Sequence, residues 1–215
     1  MNVVGAAQRR AGRPRTAVLD RRRIGEMALE LVDEAGDFTL PELARRLGVQ
    51  TGSLYHHVDG RAGVIELLRE QISDRMDPVP LETHPWDVAM EAFFRSYRAV
   101  FAAHPRVVPL LTTATIRSPE VIAAYDKIAA KLAGSGIPAG RTMEILTAME
   151  NFVIGSALDL AAPEVMWEIP EGVEAPNLAA ALAAQETSTD RAERAFEVGM
   201  ATLLDAARAE AAASR

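Results

Sequence analysis

Cysteine is absent from the 215 residues, so the chain can build no disulfide frame, cysteine-ligated zinc site or thiol nucleophile. Histidine occurs only four times, and no two histidines stand at the i, i+4 spacing that helical zinc ligands use. The adjacent pair His56 and His57 points in two directions from a helix. Glu-x-x-His pairs, glycine-rich phosphate loops and a serine elbow are also missing, which argues against a helical di-metal enzyme, a nucleotide enzyme or a hydrolase. Catalytic residues, metal ligands and cofactors are therefore not expected. No apolar run approaches the roughly 18 uncharged residues of a membrane span, and no apolar segment follows the N-terminal arginines as it would in a signal peptide. The expectation is a cytoplasmic protein without a membrane partner. No repeat with a period of 20 to 50 residues is evident, so a solenoid is not expected.

What is present is a chain of one large or two modest domains, 49% hydrophobic and 25% charged. Its charge is unevenly placed. Residues 1–23 hold seven arginines and one acid, Asp20, although the whole chain has a formal net charge of −7. An acidic body repels a phosphate backbone, whereas a short basic arm beside a folded unit can neutralise phosphates. Residues 1–20 are read as an arm without fixed structure. Within it, Gly12-Arg13-Pro14-Arg15 resembles the core of an AT-hook: proline keeps the chain extended, and Arg13 and Arg15 suit a narrow minor groove.

The apolar pattern is helical throughout. Ile24, Met27, Ala28, Leu31, Val32 and Ala35 form one stripe that ends at Gly36. Thr39 with Glu42 fits a capping box, Leu43, Ala44 and Leu47 supply a second apolar face, and Gly48 stops it. Gln50 to His57 forms a third short segment. Asp59 reads as the cap of a longer helix carrying Val64, Ile65, Leu68 and Ile72, closed by Pro78 and Pro80. Two short helices across a glycine turn bury little alone, so the first and fourth helices must pack behind them. Leu54 and Val58 then face inward. Gln50, Thr51, Ser53, Tyr55, His56 and His57 put an amide, hydroxyls, a phenol and imidazoles outward, groups that donate to phosphates or read base edges in a major groove. Tyr55 fits a core ring with a wet hydroxyl equally well. Arg45 and Arg46 are expected to face solvent without notable partners.

The run from Leu43 through Leu-Gly-Val, Gln50-Thr-Gly-Ser-Leu-Tyr-His-His57 and Val58, with Arg61 after it, resembles the DNA-binding signature of the tetracycline-repressor (TetR) family over about residues 20–72. The resemblance implies an all-α protein: a three-helix helix-turn-helix domain over 21–75 and a larger helical effector and dimerisation domain over 84–215. It implies that Thr39 and Arg61 meet DNA phosphates and that Gln50, Thr51, Gly52, Ser53, Tyr55, His56 and His57 form the recognition helix. The implied function is a repressor, released from double-stranded operator DNA by a small apolar or amphipathic effector and acting as a homodimer.

Downstream, Trp86, Met90, Phe93, Phe94, Tyr97 and Phe101 make a strong stripe that ends near His104-Pro105. Ser118-Pro119-Glu120 reads as a helix start, and Val121, Tyr125, Ile128 and Leu132 carry the period to Gly134. Gly140 to Ala162 is almost apolar all round, the mark of a buried helix, with Glu144, Thr147 and Asn151 as polar exceptions and Gly155-Ser-Ala157 permitting close helix approach. Pro163 to Pro176 reads as a loop containing Trp167, ahead of a short alanine-rich helix. Asp190 with Glu193 fits a capping box for a last helix bearing Ala192, Phe196, Met200, Leu203 and Leu204. Asn151 to Leu160 and the stretch from Trp86 look like the same family's effector domain, in which helices pack as a four-helix dimer interface. Members that take tetracycline hold the magnesium-bound drug through histidines. The matching positions here carry Met76 or Asp77 and Leu110, so tetracycline is not the expected ligand. Phe94, Tyr97, Phe101, Leu110, Ile116, Met143 and Phe152 are the pocket candidates, aromatic and flexible side chains of the kind that line adaptable apolar sites. A DNA-binding protein of this fold controlled without a ligand is the alternative, and a fully packed second domain would favour it.

Overall fold

Helix starts follow the capping chemistry in the computed structural model, which describes residues 19–163, 165–184 and 191–213. The arm with Arg13 and Arg15, and Asp190 of the last capping box, lie outside the described residues. The Asp20 carboxylate accepts from the Arg23 amide at 2.8 Å and opens α1 (Arg21–Ala35). The Thr39 hydroxyl accepts from the Glu42 amide at 3.3 Å and opens α2 (Leu40–Leu47). Gly48, at φ 71°, then turns the chain through a left-handed conformation that a side chain would strain. Gly48 and Val49 amides close this turn on the Arg45 and Ala44 carbonyls at 3.2 and 3.0 Å.

The third helix is shorter than its pattern suggests. Only Thr51–Leu54 (α3) is helical, because the His57 and Val58 amides both return to the Leu54 carbonyl and turn the chain out of the helix. Asp59 does precede α4 (Gly60–Ser73), but its side chain makes no cap hydrogen bond. The segment read as a proline terminator contains a further helix, α5 (Val79–Thr83); Pro80 lies in its first turn, where a missing N–H costs nothing. There follow α6 (Trp86–Ala103), a 3-10 turn (Pro105–Val107), α7 (Val108–Thr112), α8 (Pro119–Gly134), α9 (Ala139–Asp159), α10 (Pro176–Ala183) and α11 (Arg191–Ala213). Among the described residues there is no strand, and no helix is long and apolar enough to cross a membrane.

Two buried clusters hold these helices. The first contains Ile24, Val32, Leu43, Leu47, Leu54, Val64 and Leu68 of the head (α1 to α4), and it continues into Val100, Phe101, Val107 and Leu111 of the body. Head and body thus share one apolar core. The second joins α6, α8, α9 and α11 through Met90, Phe94, Leu132, Leu146, Met149, Phe196 and Met200. Polar clasps reinforce the junction: His104 Nδ1 lies 2.7 Å from Asp33, and Arg106 donates to the Asp33 and Glu34 carbonyls at the C-terminus of α1, where a cation meets the negative end of the helix dipole. The expectation that α9 is buried all round is corrected here. Met143 and Leu158 are 52% and 43% exposed, because the chain covers only the α9 faces that meet α6, α8 and α11.

Candidate nucleic-acid interface and ligand cavity

The Gly48 turn places α3 on the surface with Leu54 fully buried beneath it. Gln50, Gly52, Tyr55 and His56 are exposed, while Thr51, Ser53 and His57 are half-buried. Tyr55 is 60% exposed, which decides between its two readings: the ring is outside the core. Gln50 occupies the N-cap position of α3 without using its side chain there, so its amide remains available to a partner. Leu54 and Val58 turn inward as expected.

Around this surface the cations are engaged within the chain. Arg45 and Arg46 were expected without notable partners, yet both donate to Glu42, and Arg46 also reaches Glu34 at 2.5 Å. Hydrogen bonds from these arginines hold the Glu34 and Glu42 carboxyls below the usual carboxylate range. Glu42 therefore turns towards the arginines, and its half of the expected capping box is not made. Arg61 donates to the Phe38 carbonyl and the Asp37 carboxylate, both at 2.6 Å, with its guanidinium over the Phe38 ring. Thr39 is exposed while capping α2.

A small cavity of about 60 Å³ lies where α4, α6, α8 and α9 meet. Its apolar wall includes Met76, Phe93, Val121 and Ile128, with Tyr97 and Phe101 stacked at 4.8 Å between ring centres. Arg69, Tyr125 and Glu150 supply polar groups. The Tyr125 hydroxyl donates to Glu150 at 2.6 Å. Burial pushes the Glu150 carboxyl up, against the opposing pull of that hydrogen bond and of Arg69, and burial also raises the Tyr97 and Tyr125 phenols. Arg69 donates to the Leu111 and Ala114 carbonyls at 2.9 and 3.0 Å, and neighbouring Glu66 accepts from the Arg117 and Ser118 amides at 2.9 and 2.7 Å. One face of α4 thus grips the segment between α7 and α8.

Of the sequence candidates, Tyr97 and Phe101 line this cavity. Phe94 is buried in the second core beside it, Leu110 packs on the first core, and Ile116 is half-buried in the 113–118 segment. Phe152 stacks on Phe196 between α9 and α11, and Met143 faces outward. Sequence reasoning missed Arg69, Phe93, Tyr125 and Glu150. Glu150 had a signal, an acid within an otherwise apolar helix, but Glu144, Thr147 and Asn151 drew the reading and all three are exposed. Among the described residues no group of three or more histidines and carboxylates could hold a metal ion.

On the outer side, Met143, Thr147, Asn151, Gly155 and Leu158 of α9 and Val198, Thr202, Asp205 and Ala209 of α11 are exposed. A Cβ added at Gly155 would meet nothing, whereas at Gly199 it would fall 2.2 Å from the Phe152 ring. Gly199 therefore permits the close approach of α11 to α9 within the chain, and Gly155 lies on the open face.

Comparison with known proteins bears on this arrangement. The chain is 30% identical over 142 residues to an HTH-type transcriptional regulator of Saccharopolyspora erythraea, covering 65% of this chain and 60% of that protein's length. It is 25% identical over 194 residues to the tetracycline repressor protein class G of Vibrio anguillarum, covering 86% and 92%. The crystal structure of a possible TetR family transcriptional regulator from Streptomyces coelicolor A3(2) superposes with a TM-score of 0.69 at 27% identity, over 88% of this chain and 99% of the other. Residues 79–210 match the family described as "Tetracyclin repressor-like, C-terminal domain", and with more than half of its length so matched the chain belongs to that family.

Proposed function

We propose that this protein is a homodimeric, sequence-specific DNA-binding regulator, a repressor released from its operator by a small organic effector rather than an enzyme. The observation that carries this reading is the α3 surface: a short helix anchored by buried Leu54 has Gln50, Tyr55 and His56 at its two ends, all three exposed to solvent and outside the core. Thr39, Thr51, Gly52, Ser53, His57 and Arg61 flank it, suited to phosphate contacts that fix the register while base edges are read. For Arg45, Arg46 and Arg61, binding DNA exchanges an internal carboxylate or carbonyl for a phosphate. The names of the relatives support the same reading.

The lever is α4. Its inward face, with Val64, Leu67 and Leu68, belongs to the head, while Arg69, Ile72 and Ser73, with Met76 just past its end, line the cavity. An effector that fits the cavity better in one arrangement of α4 shifts the population of head orientations, typically by about 1–3 kcal/mol of coupling. The open cavity favours ligand control over the ligand-independent alternative.

Selection of bound fragments from genomic DNA tests the function. A short symmetric site bound at least about a thousandfold above random sequence at physiological salt is expected, and equal affinity for all fragments would overturn the proposal. On the selected operator, changing Arg13 and Arg15 together to Ala should reduce the salt dependence of binding; an unchanged slope would assign the arm no role.

A further inference from the structure

We infer that Asp37 and Glu42 are internal stand-ins for DNA phosphate, occupying the arginines beside α3 so that the head binds DNA weakly unless base edges are also read. This rests on reading the α3 surface as the DNA interface. The inference starts from an imbalance of charge. From the start of α1 to the end of α4, residues 21–73, there are nine carboxylates and seven arginines and no lysine, a formal −2 with the histidines neutral. Sequence-independent affinity comes from cations that displace the counterions of phosphates, and a head with this balance offers few of them. Six of the seven arginines also pair with a carboxylate of the head itself. Three of those six bracket α3 in the chain: Arg45 and Arg46 in the last turn of α2, and Arg61 in the first turn of α4.

The geometry of these pairs is that of a phosphate contact. Glu42 meets the Nε and Nη2 edge of Arg45 with both oxygens, at 2.8 and 2.5 Å, the bidentate fit that a phosphate uses. Asp37 accepts from Arg61 at 2.6 Å. The side chains of Asp37 and Arg61 are 62% and 43% exposed, and those of Glu42 and Arg45 are 36% and 68% exposed. Ion pairs so exposed add little to the stability of a fold, and a phosphate can reach each guanidinium. Once it does, the carboxylate is left beside a second anion and must retain a cation that the complex otherwise releases. Hydrogen bonds from Arg61 and Arg45 hold both carboxyls below the usual carboxylate range, so they are ionised at neutral pH. The cost weighs on every complex with DNA, and only base contacts from α3 at an operator offset it. A positioning role predicts the reverse, because a carboxylate that aimed its arginine at a phosphate would strengthen binding.

The test is fluorescence anisotropy of a labelled random-sequence duplex with the full chain across a sodium chloride series. Three proteins are compared: the unaltered chain, Asp37→Asn with Glu42→Gln, and a control, Glu30→Gln with Asp74→Asn. The control removes the same charge from two exposed acids of the head that pair with no arginine among the described residues. All four substitutions keep the shape of the side chain. At low salt the Asp37→Asn, Glu42→Gln protein should bind random DNA at least about tenfold tighter than the unaltered chain, with a slope of log K against log salt steeper by about 1 to 2. The control should gain less than about threefold. Equal gains in both would assign the effect to net charge, an unchanged affinity and slope would leave the pairs no role, and weaker binding would make the carboxylates positioning groups; each overturns the inference. Selection of genomic fragments separates the two levels. If the unaltered chain selects no site, the reading of α3 as the DNA interface fails. If it selects one while the paired-acid variant matches the control on random DNA, that reading stands and the inference alone fails.

Discussion

Burial lifts the Glu150 carboxyl above the ordinary carboxylate range, whereas the hydrogen bond from Arg98, with Arg95 beside it, holds Glu193 below that range. The two carboxyls therefore respond to pH with opposite signs. A group whose pKa is raised on folding weakens the fold as pH climbs from its unfolded pKa through its folded one. Glu150→Gln cannot ionise, so its melting temperature relative to the unaltered protein should rise as the pH climbs upward from the ordinary carboxylate range. Differential scanning fluorimetry along that climb checks this, and a constant difference would mean that Glu150 is not titrating as described. Glu193 contributes in the other sense, with stability present above its unfolded pKa and lost as pH falls through the folded one. It pairs with Arg98, a buried guanidinium that also sits over the Phe196 ring and whose Nε lacks a partner. Glu193→Ala leaves that charge underpaired and should cost about 1–3 kcal/mol in urea unfolding, the lower end reflecting the partial exposure of Glu193. Its effect should shrink as the pH approaches the folded pKa.

At the scale of helices, the contact between α9 and α11 depends on an atom that is missing. A methyl group at Gly199 would meet the Phe152 ring, which is stacked on Phe196 at 5.8 Å and can move only by breaking that stack. Gly199→Ala improves helix propensity by about 1 kcal/mol but overpacks the interface, so a net loss of about 1–2 kcal/mol is expected. In a Phe152→Ala background the clash is gone and the same substitution should stabilise. A double-mutant cycle by urea unfolding reads this change of sign, and additivity would refute it.

The same elements mark what the sequence makes legible. Caps and stops depend on neighbours three or four residues away, so Thr39, Gly36 and Gly48 placed their boundaries correctly, whereas the Asp20 cap was not read. The α3 segment was read too long because the amide bonds that end it, from His57 and Val58, leave no side-chain pattern. Cavity residues were legible only in part. Phe93 and Phe94 are about 100° apart on α6, and the apolar stripe alone cannot say which faces a void and which faces α9. Arg69 and Glu66 act on backbone carbonyls and amides some fifty residues away, and such partners carry no sequence signature.

For the whole molecule, the homodimer proposed above requires an apolar surface that the single chain leaves uncovered. The outer faces of α9 and α11 meet that need: Met143, Leu158 and Val198 are 52%, 43% and 70% exposed, and small residues such as Gly155 and Ala209 leave room for another helix. A two-fold interface presents the same patch twice, so a charge introduced at its centre is met by its own copy in a desolvated setting. Val198→Asp should therefore yield a folded monomer with unchanged helical circular dichroism, because Val198 is exposed and lies outside both buried clusters of its own chain. The head is untouched, so contact with an isolated half-site should persist. Affinity for the complete symmetric operator should fall by at least about a hundredfold, since joining two heads makes the second contact effectively intramolecular. Sedimentation velocity and gel-shift titration on half and full sites read the two effects separately. A Val198→Asp protein that still sediments as a dimer would place the interface elsewhere, and a monomer with full operator affinity would detach DNA recognition from dimerisation altogether.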